Sequence, residues 1–399
     1  MTIETVRTYV IENPPPHHGG YNWIFLKLVT DDGVEGIGEA YGVPFHPDVI
    51  AELLRDVGKR HVIGKSPFDT ESLWRDIYTG SADVHTPHQP DLTTSAIISA
   101  FEMACLDIVG KKVGEPIYNL FGGKVHDRLR TYTYLYPDHD PSGETDNIAD
   151  LTNLHTDPEA AAARAEAYVE RGFTAIKLDP VTPMKPTFPQ QIPLDTLTRA
   201  ATVVERVRET VGDECEILIG THGQLSTSSA IRFADLIEEH RPLWFEEPVP
   251  PENKQAMAKV ARSTTIPISS GERLATRHEF NELLETGAAS IIQMATGRAG
   301  GIFESKKIAS MAETHYAHIA PHLYAGPVEA AANIQLDACS PNFLIQECIE
   351  TLDGFHGELL EEPLEWEDGY VIPPTDPGLG IELDEDVAAE HGRIEEVSG

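Results

Sequence analysis

Eight short apolar runs recur along the C-terminal two-thirds of the chain: Arg130–Tyr136, Thr174–Leu178, Glu216–Ile219, Leu243–Phe245, Ile266–Ser269, Ser290–Met294, Ala317–Ala320 and Phe343–Ile345. Between them lie helix-length stretches with conventional ends. Asp157-Pro158-Glu159 precedes an alanine-rich run that stops at Gly172, Thr196–Val211 stops at Gly212, and Ser228 opens Ser229–His240. Proline suits a first helical turn because its missing N–H would have no partner there, and glycine tolerates the left-handed backbone that ends a helix. Short, strongly apolar strands that alternate with helices indicate a parallel sheet covered on both faces. The expected fold is therefore α/β, a (β/α)8-type barrel. A doubly wound open sheet is the structural alternative, but the glycine-rich phosphate turn it usually carries near its first strand is not in this sequence.

Polar residues gather at the ends of these runs. Gly220-Thr221-His222-Gly223, Glu246-Glu247-Pro248 and Gly271-Glu272 follow one another at intervals of 26 residues, and Pro321-His322 comes 50 residues, or two periods, after Glu272. In a closed parallel barrel every strand's carboxyl end opens on the same face, so residues at this period converge on one mouth. Glu246 and Glu272 are candidates to share a hard divalent cation, since Mg²⁺ takes a few carboxylates plus water and substrate oxygens. Glu247 is the ambiguous neighbour: strand alternation sends adjacent side chains to opposite faces, so only one of that pair is expected at the metal. Lys177 and Asp179 are two apart and point together into the mouth. A lysine there acts as a base only where a cation or desolvation lowers its pKa, and otherwise anchors a substrate oxygen. His222 and His322 follow the third and seventh runs, on roughly opposite sides of an eight-stranded ring. That placement suits removal of a proton alpha to a carboxylate by one group and protonation of a departing hydroxyl by the other.

With 399 residues the chain exceeds one ordinary barrel by about a hundred. Residues 1–125 supply a second module with a different rhythm. Ile3–Ile11, Tyr21–Thr30 and Val34–Ala40 alternate like antiparallel strands, Asp31-Asp32-Gly33 makes a hairpin turn, and helical stretches follow through Lys111. This α+β capping domain, a barrel over 126–354, and a Pro-, Gly- and acid-rich segment over 355–399 that packs back on the cap make up the expected organisation.

Thirty Lys and Arg against 65 Asp and Glu leave a formal charge of −35, spread over many helix faces. Such a charge argues against nucleic acid as a partner, and its self-repulsion is relieved by salt, so the composition reads as adaptation to a high-salt cytoplasm. Cys105, Cys215, Cys339 and Cys348 lack metal-ligand spacing and read as buried thiols. No apolar stretch approaching about 18 residues and no basic-then-apolar leader is evident, so neither a membrane span nor export is expected.

These residues together resemble the enolase superfamily, in its mandelate racemase-like branch with many acid-sugar dehydratases. The resemblance covers nearly the whole chain. It is carried by Ala104-Cys105-Leu106-Asp107-Ile108, Gly122-Gly123, Lys177-Leu178-Asp179, His222-Gly223, Trp244-Phe245-Glu246-Glu247-Pro248, Gly271-Glu272, Gly300-Gly301, Pro321-His322, Gly369-Tyr370 and Pro377-Gly378-Leu379-Gly380. It implies a modified TIM barrel with a capping domain, Mg²⁺ as cofactor, a small-molecule sugar acid as substrate and a homo-oligomer, often an octamer. Glu246 and Glu272 then resemble two of three metal ligands, Lys177 the second-strand base or carboxylate-facing lysine, and His322 the seventh-strand base. His222 is similar to the general acid of some dehydratases, and Glu347 to the acid beside the substrate carboxylate. His17 and His18, in the Asn13–Trp23 loop, resemble the cap segment that closes on substrate, with Tyr324 as a further substrate contact. The long connections Pro137–Pro158, Pro180–Pro193 and Gly80–Asp91, the last with His85 and His88, are candidate lids.

Two departures stand out. The family's first metal ligand is an Asp where this chain has Gly220, and the Asp that normally partners the seventh-strand histidine is replaced by Ala295. Asp179 is the expected substitute ligand, with His222 a second candidate less suited to Mg²⁺. Loss of the acid at 295 leaves the base open between Lys177 and His322, and weighs against a symmetric two-base racemase. Mannonate dehydratases also lack that pair and carry Pro-Asn-Phe like Pro341-Asn342-Phe343. The expected activity is dehydration of an aldonate or aldarate, the alternatives being a racemase, epimerase or lactone cycloisomerase, or a non-catalytic metabolite-binding homologue.

Overall fold

The structure is a computed structural model that describes residues 1–42, 44–80, 91–137, 147–182 and 189–399, with the side chains of 147–150 left out. His85 and His88, and much of the three long connections, lie outside the described residues.

The N-terminal sheet is built from β1 (Ile3–Glu12), β2 (Asn22–Thr30) and β3 (Glu35–Glu39), joined by the tight turn at Gly33, whose φ is +79°. The helix Leu92–Val113 lies across it. Its close approach depends on Gly36 and Gly38, because a Cβ at either would be driven into the carbonyl oxygen of Ala104 or Ala100. This helix is also long and apolar enough to cross a membrane by length and composition, which corrects the expectation that no such stretch exists. Most of its residues are buried inside the protein, Glu102 and Asp107 among them, so its apolar length is that of a core helix.

The barrel strands are β4 (Leu129–Tyr134), β5 (Ala175–Leu178), β6 (Glu216–Gly220), β7 (Trp244–Glu246), β8 (Ile268–Ser270), β9 (Ile291–Ile292), β10 (His318–Ile319) and β11 (Gln346–Cys348). From β4 to β10 each pairs in parallel with the next. The eighth segment touches both ends of that row. Phe343 bridges Ile319 of β10, and Gln346–Cys348 pairs with Thr131–Thr133 of β4. The predicted last strand, Phe343–Ile345, is thus displaced, its regular ladder starting at Gln346, because barrel strands tilt and stagger against their two neighbours. Ser226 caps the helix Thr227–Ile237, two residues ahead of the predicted Ser228.

Alternation along these strands sorts their side chains. Ile176, Ile217, Ile219, Phe245, Ile292 and Ile319 join the large core beneath the outer helices. Tyr132, Ala175, Leu218, Trp244, Ile291, Ala320 and Ile345 fill the barrel interior as a separate cluster. Two residues beyond each of these stand Tyr134, Lys177, Gly220, Glu246, Gln293, His322 and Glu347. With a side-chain period of two, this polar layer rests directly on the apolar plug.

After the barrel, the β12 (Trp366–Glu367) and β13 (Tyr370–Val371) hairpin adds to β4, and β14 (Gly392–Ser398) pairs antiparallel with β1. Buried carboxylates join cap to barrel. Glu39 accepts from the N–H groups of Gly326 (2.7 Å) and Glu329 (2.9 Å), and Glu102 from those of Ile302 (2.7 Å) and Phe303 (2.8 Å), so each serves the N-terminus of a barrel helix. Replacing Gly38 with Ala is expected to lower stability by about 2–3 kcal/mol through overpacking against a backbone that cannot yield. Urea unfolding at constant KCl, compared with the control Gly357→Ala, where a Cβ would meet nothing nearer than 3.4 Å, measures it.

Candidate active site

The polar layer opens into a cavity of ≈ 300 Å³ lined by Tyr41, Tyr134, Tyr136, Leu151, Lys177, His222, Glu272, His322, Tyr324 and Glu347. That volume lies at the small-molecule end of binding sites. Tyr41 comes from the cap and the rest from the barrel, so the cavity sits on the seam between them.

Lys177 is 2 % exposed. Its Nζ lies 2.6 Å from Glu246 Oε1 and 3.3 Å from Glu347 Oε1. Burial alone would lower its pKa, but the charges of Glu246, Glu347 and Glu272 override that and raise it. Lys177 is therefore a fixed cation and not a neutral base, which decides between the two roles open to it. Glu246 is further held at its other oxygen: Oε2 accepts from Trp244 Nε1 (3.1 Å) and Gln293 Nε2 (2.8 Å). Glu347 accepts at Oε2 from the Leu323 N–H at 2.9 Å. Glu247 turns away, as alternation predicts, to Ser270 and to Arg273, whose Nε stands 2.8 Å from its Oε2.

The two histidines differ in their neighbours. His222, on a left-handed backbone (φ +47°), bonds through Nδ1 to Asp179 Oδ2 at 3.0 Å. Although its side chain is 44 % exposed, partial desolvation is outweighed by the hydrogen bond and charge of Asp179, with Glu272 behind, which raise its pKa to about 9. His322 faces Glu272 Oε2 at 3.4 Å through Nε2, while its buried Nδ1 has no hydrogen-bond partner. Burial takes its pKa down to about 4 despite Glu272. The orphaned Nδ1 is the structural counterpart of Ala295: no carboxylate stands behind this ring.

Asp179, Glu246 and Glu272 do not form the expected metal cradle. Among the described residues no three His, Cys, Asp or Glu side chains are gathered so as to hold one ion. A contributing feature is Gly220, where a Cβ would lie 3.2 Å from Lys177 Cε: the lysine lies against the bare backbone there and pairs with Glu246. The residues present thus do not fit a three-carboxylate Mg²⁺ site.

His17 and His18 line not this cavity but an adjoining hollow that shares Tyr136, Leu151 and Tyr324 with it. His18 stacks on Tyr136 with ring centroids 4.0 Å apart. Four residues went unnoticed in the sequence. Tyr134 and Tyr136 end the first barrel run, so the strand-end rule already pointed to them. Tyr41 and His155 gave no local signal. His155 accepts the Asp179 N–H at Nδ1 (2.8 Å) and so carries its proton on Nε2 for the Leu135 carbonyl (2.8 Å), holding the ends of β4 and β5 together.

Two family models match the chain. "Mandelate racemase / muconate lactonizing enzyme, N-terminal domain" covers residues 17–122 and "Enolase C-terminal domain-like" residues 160–387. The chain belongs to the mandelate racemase/muconate lactonizing enzyme family of the enolase superfamily. Among its relatives in that family, D-galactonate dehydratase of Ralstonia nicotianae is 32 % identical over 98 % of this chain and 95 % of its own. D-xylonate dehydratase of Haloferax volcanii is 31 % identical over 94 % of this chain and 86 % of its own. The crystal structure of a mandelate racemase/muconate lactonizing enzyme-like protein from Roseovarius sp. TM1035 superposes with a TM-score of 0.91 at 42 % identity, covering 98 % and 95 % of the two chains. Members of the superfamily are generally metal-dependent, which makes the Gly220–Lys177 arrangement a departure within the family.

The His222 imidazole is expected to titrate near pH 9 when followed by ¹⁵N NMR. In Asp179→Asn its midpoint should fall by about 1–3 pH units, the range an adjacent opposite charge supplies. An unchanged midpoint would show that the acid does not set the charge state of the ring.

Proposed function

We propose that this chain is a hydro-lyase that removes water from a sugar acid to give a 2-keto-3-deoxy acid. The observation that carries the reading is one cavity with a carboxylate-backed, protonated His222, a neutral His322 and a fixed lysine cation on its wall. Dehydratases of three different aldonic acids among the family relatives support it.

The substrate carboxylate is anchored at Lys177. His322 Nε2 takes the proton from C2, and the electron pair of that C–H bond moves into the carboxylate as an enediolate. Collapse of the enediolate expels the C3 hydroxyl, which takes a proton from His222 and leaves as water. The enol then loses its O–H proton to His222 and gains a proton at C3 from His322, so both histidines return to their starting states. Asp179 holds the His222 ring and stabilises its charged form. Mg²⁺ enters no step, because its expected ligands are not gathered.

An unsymmetrical pair, with one histidine charged and the other neutral, suits elimination better than racemisation, which asks two groups to exchange roles. The test is turnover of a stereochemically complete panel of aldonic and aldaric acids in concentrated KCl, scored by 2-keto acid formation and product mass. Loss of one water is expected, with kcat falling about 10²–10⁴-fold in His322→Asn and in His222→Asn. Exchange of the C2 proton without water loss would make it a racemase or epimerase. Thermal stabilisation by a sugar acid with no product would make it a binding protein.

A further inference from the structure

In this family the reaction centre is ordinarily organised by a divalent ion. We propose that in this chain the Lys177 ammonium stands in that ion's place, so that the centre works on a fixed protein cation. The inference takes the cavity as the reaction site proposed above, but it rests on the arrangement of the acids and holds for any carboxylate substrate.

Three observations lead to it. The first is steric. Gly220 is the one member of the inward polar layer with no side chain, and Lys177 fills the space beside it, its Cε 3.2 Å from where a Cβ would lie. The second is the state of Glu246. A carboxylate ligates through open lone pairs, yet here Lys177 Nζ donates to Oε1, and Trp244 Nε1 and Gln293 Nε2 both donate to Oε2. Each donor turns a positive hydrogen toward the oxygen a metal would need. The third is that the remaining acids are likewise engaged by the protein. Glu347 meets Lys177 and the Leu323 N–H, Glu247 meets Arg273, Asp179 meets His222, and Glu272 lies 4.0 Å from Arg273 Nε. Asp179 Oδ1 is the one carboxylate oxygen of this set left buried without a partner, and a Mg²⁺ ion asks for near-octahedral oxygen coordination.

An ammonium has three N–H donors. Glu246 and Glu347 take two of them, and the third is available to a substrate carboxylate oxygen, since Lys177 lines the cavity. When the C2–H bond breaks, the charge that develops on the carboxylate oxygens falls against this N–H. A buried donor held by two carboxylates does not reorganise as that charge grows, which is the condition for strong electrostatic stabilisation.

The experiment is a Mn²⁺ titration of the intact protein in concentrated KCl without substrate, read by electron paramagnetic resonance and by thermal melting. Wild type is expected to take up substoichiometric Mn²⁺, and its Tm to be the same in Mn²⁺ and in EDTA. Lys177→Met removes the ammonium from between Glu246 and Glu347, and Mn²⁺ is expected to restore part of the Tm it loses. One tightly held Mn²⁺ per wild-type chain, released in Glu246→Gln or Glu272→Gln, would overturn the proposal. The wild-type measurement stands even if a variant does not fold. Because no substrate is present, a wrong choice of reaction leaves the result intact. Once the substrate is known, turnover should survive exhaustive chelation, and loss of turnover restored by Mn²⁺ or Mg²⁺ would likewise overturn the inference.

Discussion

A buried ammonium cannot stand alone, and the mouth of this barrel is arranged around that constraint. Taking an unpaired charge out of water costs several kcal/mol, and removing one partner of a buried pair typically costs about 3–5 kcal/mol. Lys177 on β5 is compensated by Glu246 at the end of β7 and Glu347 on β11, so one ammonium ties three strands of the ring. The dependence runs both ways, since without the lysine two carboxylates would face each other across a dry interior. Trp244 and Gln293, which hold the far oxygen of Glu246, extend the same network to the apolar plug below and to the strand end beyond β9.

The cavity above that network exists because two independently built modules meet there. Glu39 and Glu102 reach from the cap to the N-termini of barrel helices, where their carboxyl oxygens accept from otherwise unpartnered N–H groups. Trp74 adds a bond from its Nε1 to the Gly300 carbonyl at 2.9 Å. These joints hold Tyr41 over the barrel mouth, its ring 5.6 Å from that of His322, with the Arg298 guanidinium 4.2 Å from its centre. A barrel alone would present the acids and histidines on an open face. The cap converts that face into a walled site where electrostatic interactions are less screened.

Within the site, the same residue type acquires opposite properties from its surroundings. His222 and His322 are both histidines at strand ends. One rests against Asp179 and holds its proton; the other has its Nδ1 buried without a hydrogen-bond partner, and burial keeps it neutral. The acid that the superfamily ordinarily places behind the seventh-strand histidine is Ala295 here, while Asp179 stands behind the other ring. The asymmetry needed for removing a proton on one side and giving one on the other is therefore built from the positions of two carboxylates, one present and one replaced.

Much of this was legible in the chain itself. Apolar runs at a constant strand-plus-helix interval determine the barrel, because each run must be buried on both faces and each intervening helix must cover it. The same interval determines that Lys177, His222, Glu272, His322 and Glu347 share a mouth, since parallel strands end on one side. Spacing could not decide which charges meet. Asp179 pairs with His222, and Lys177 with Glu246, where a glycine at 220 leaves room beside the lysine from the neighbouring strand. Nor could a local pattern reveal Tyr41 or His155, whose roles depend on segments distant in sequence being brought together. Periodicity is a property of the backbone and survives in one dimension, whereas the partner of a buried charge is selected by the space and the counter-charges around it, which only the folded chain defines.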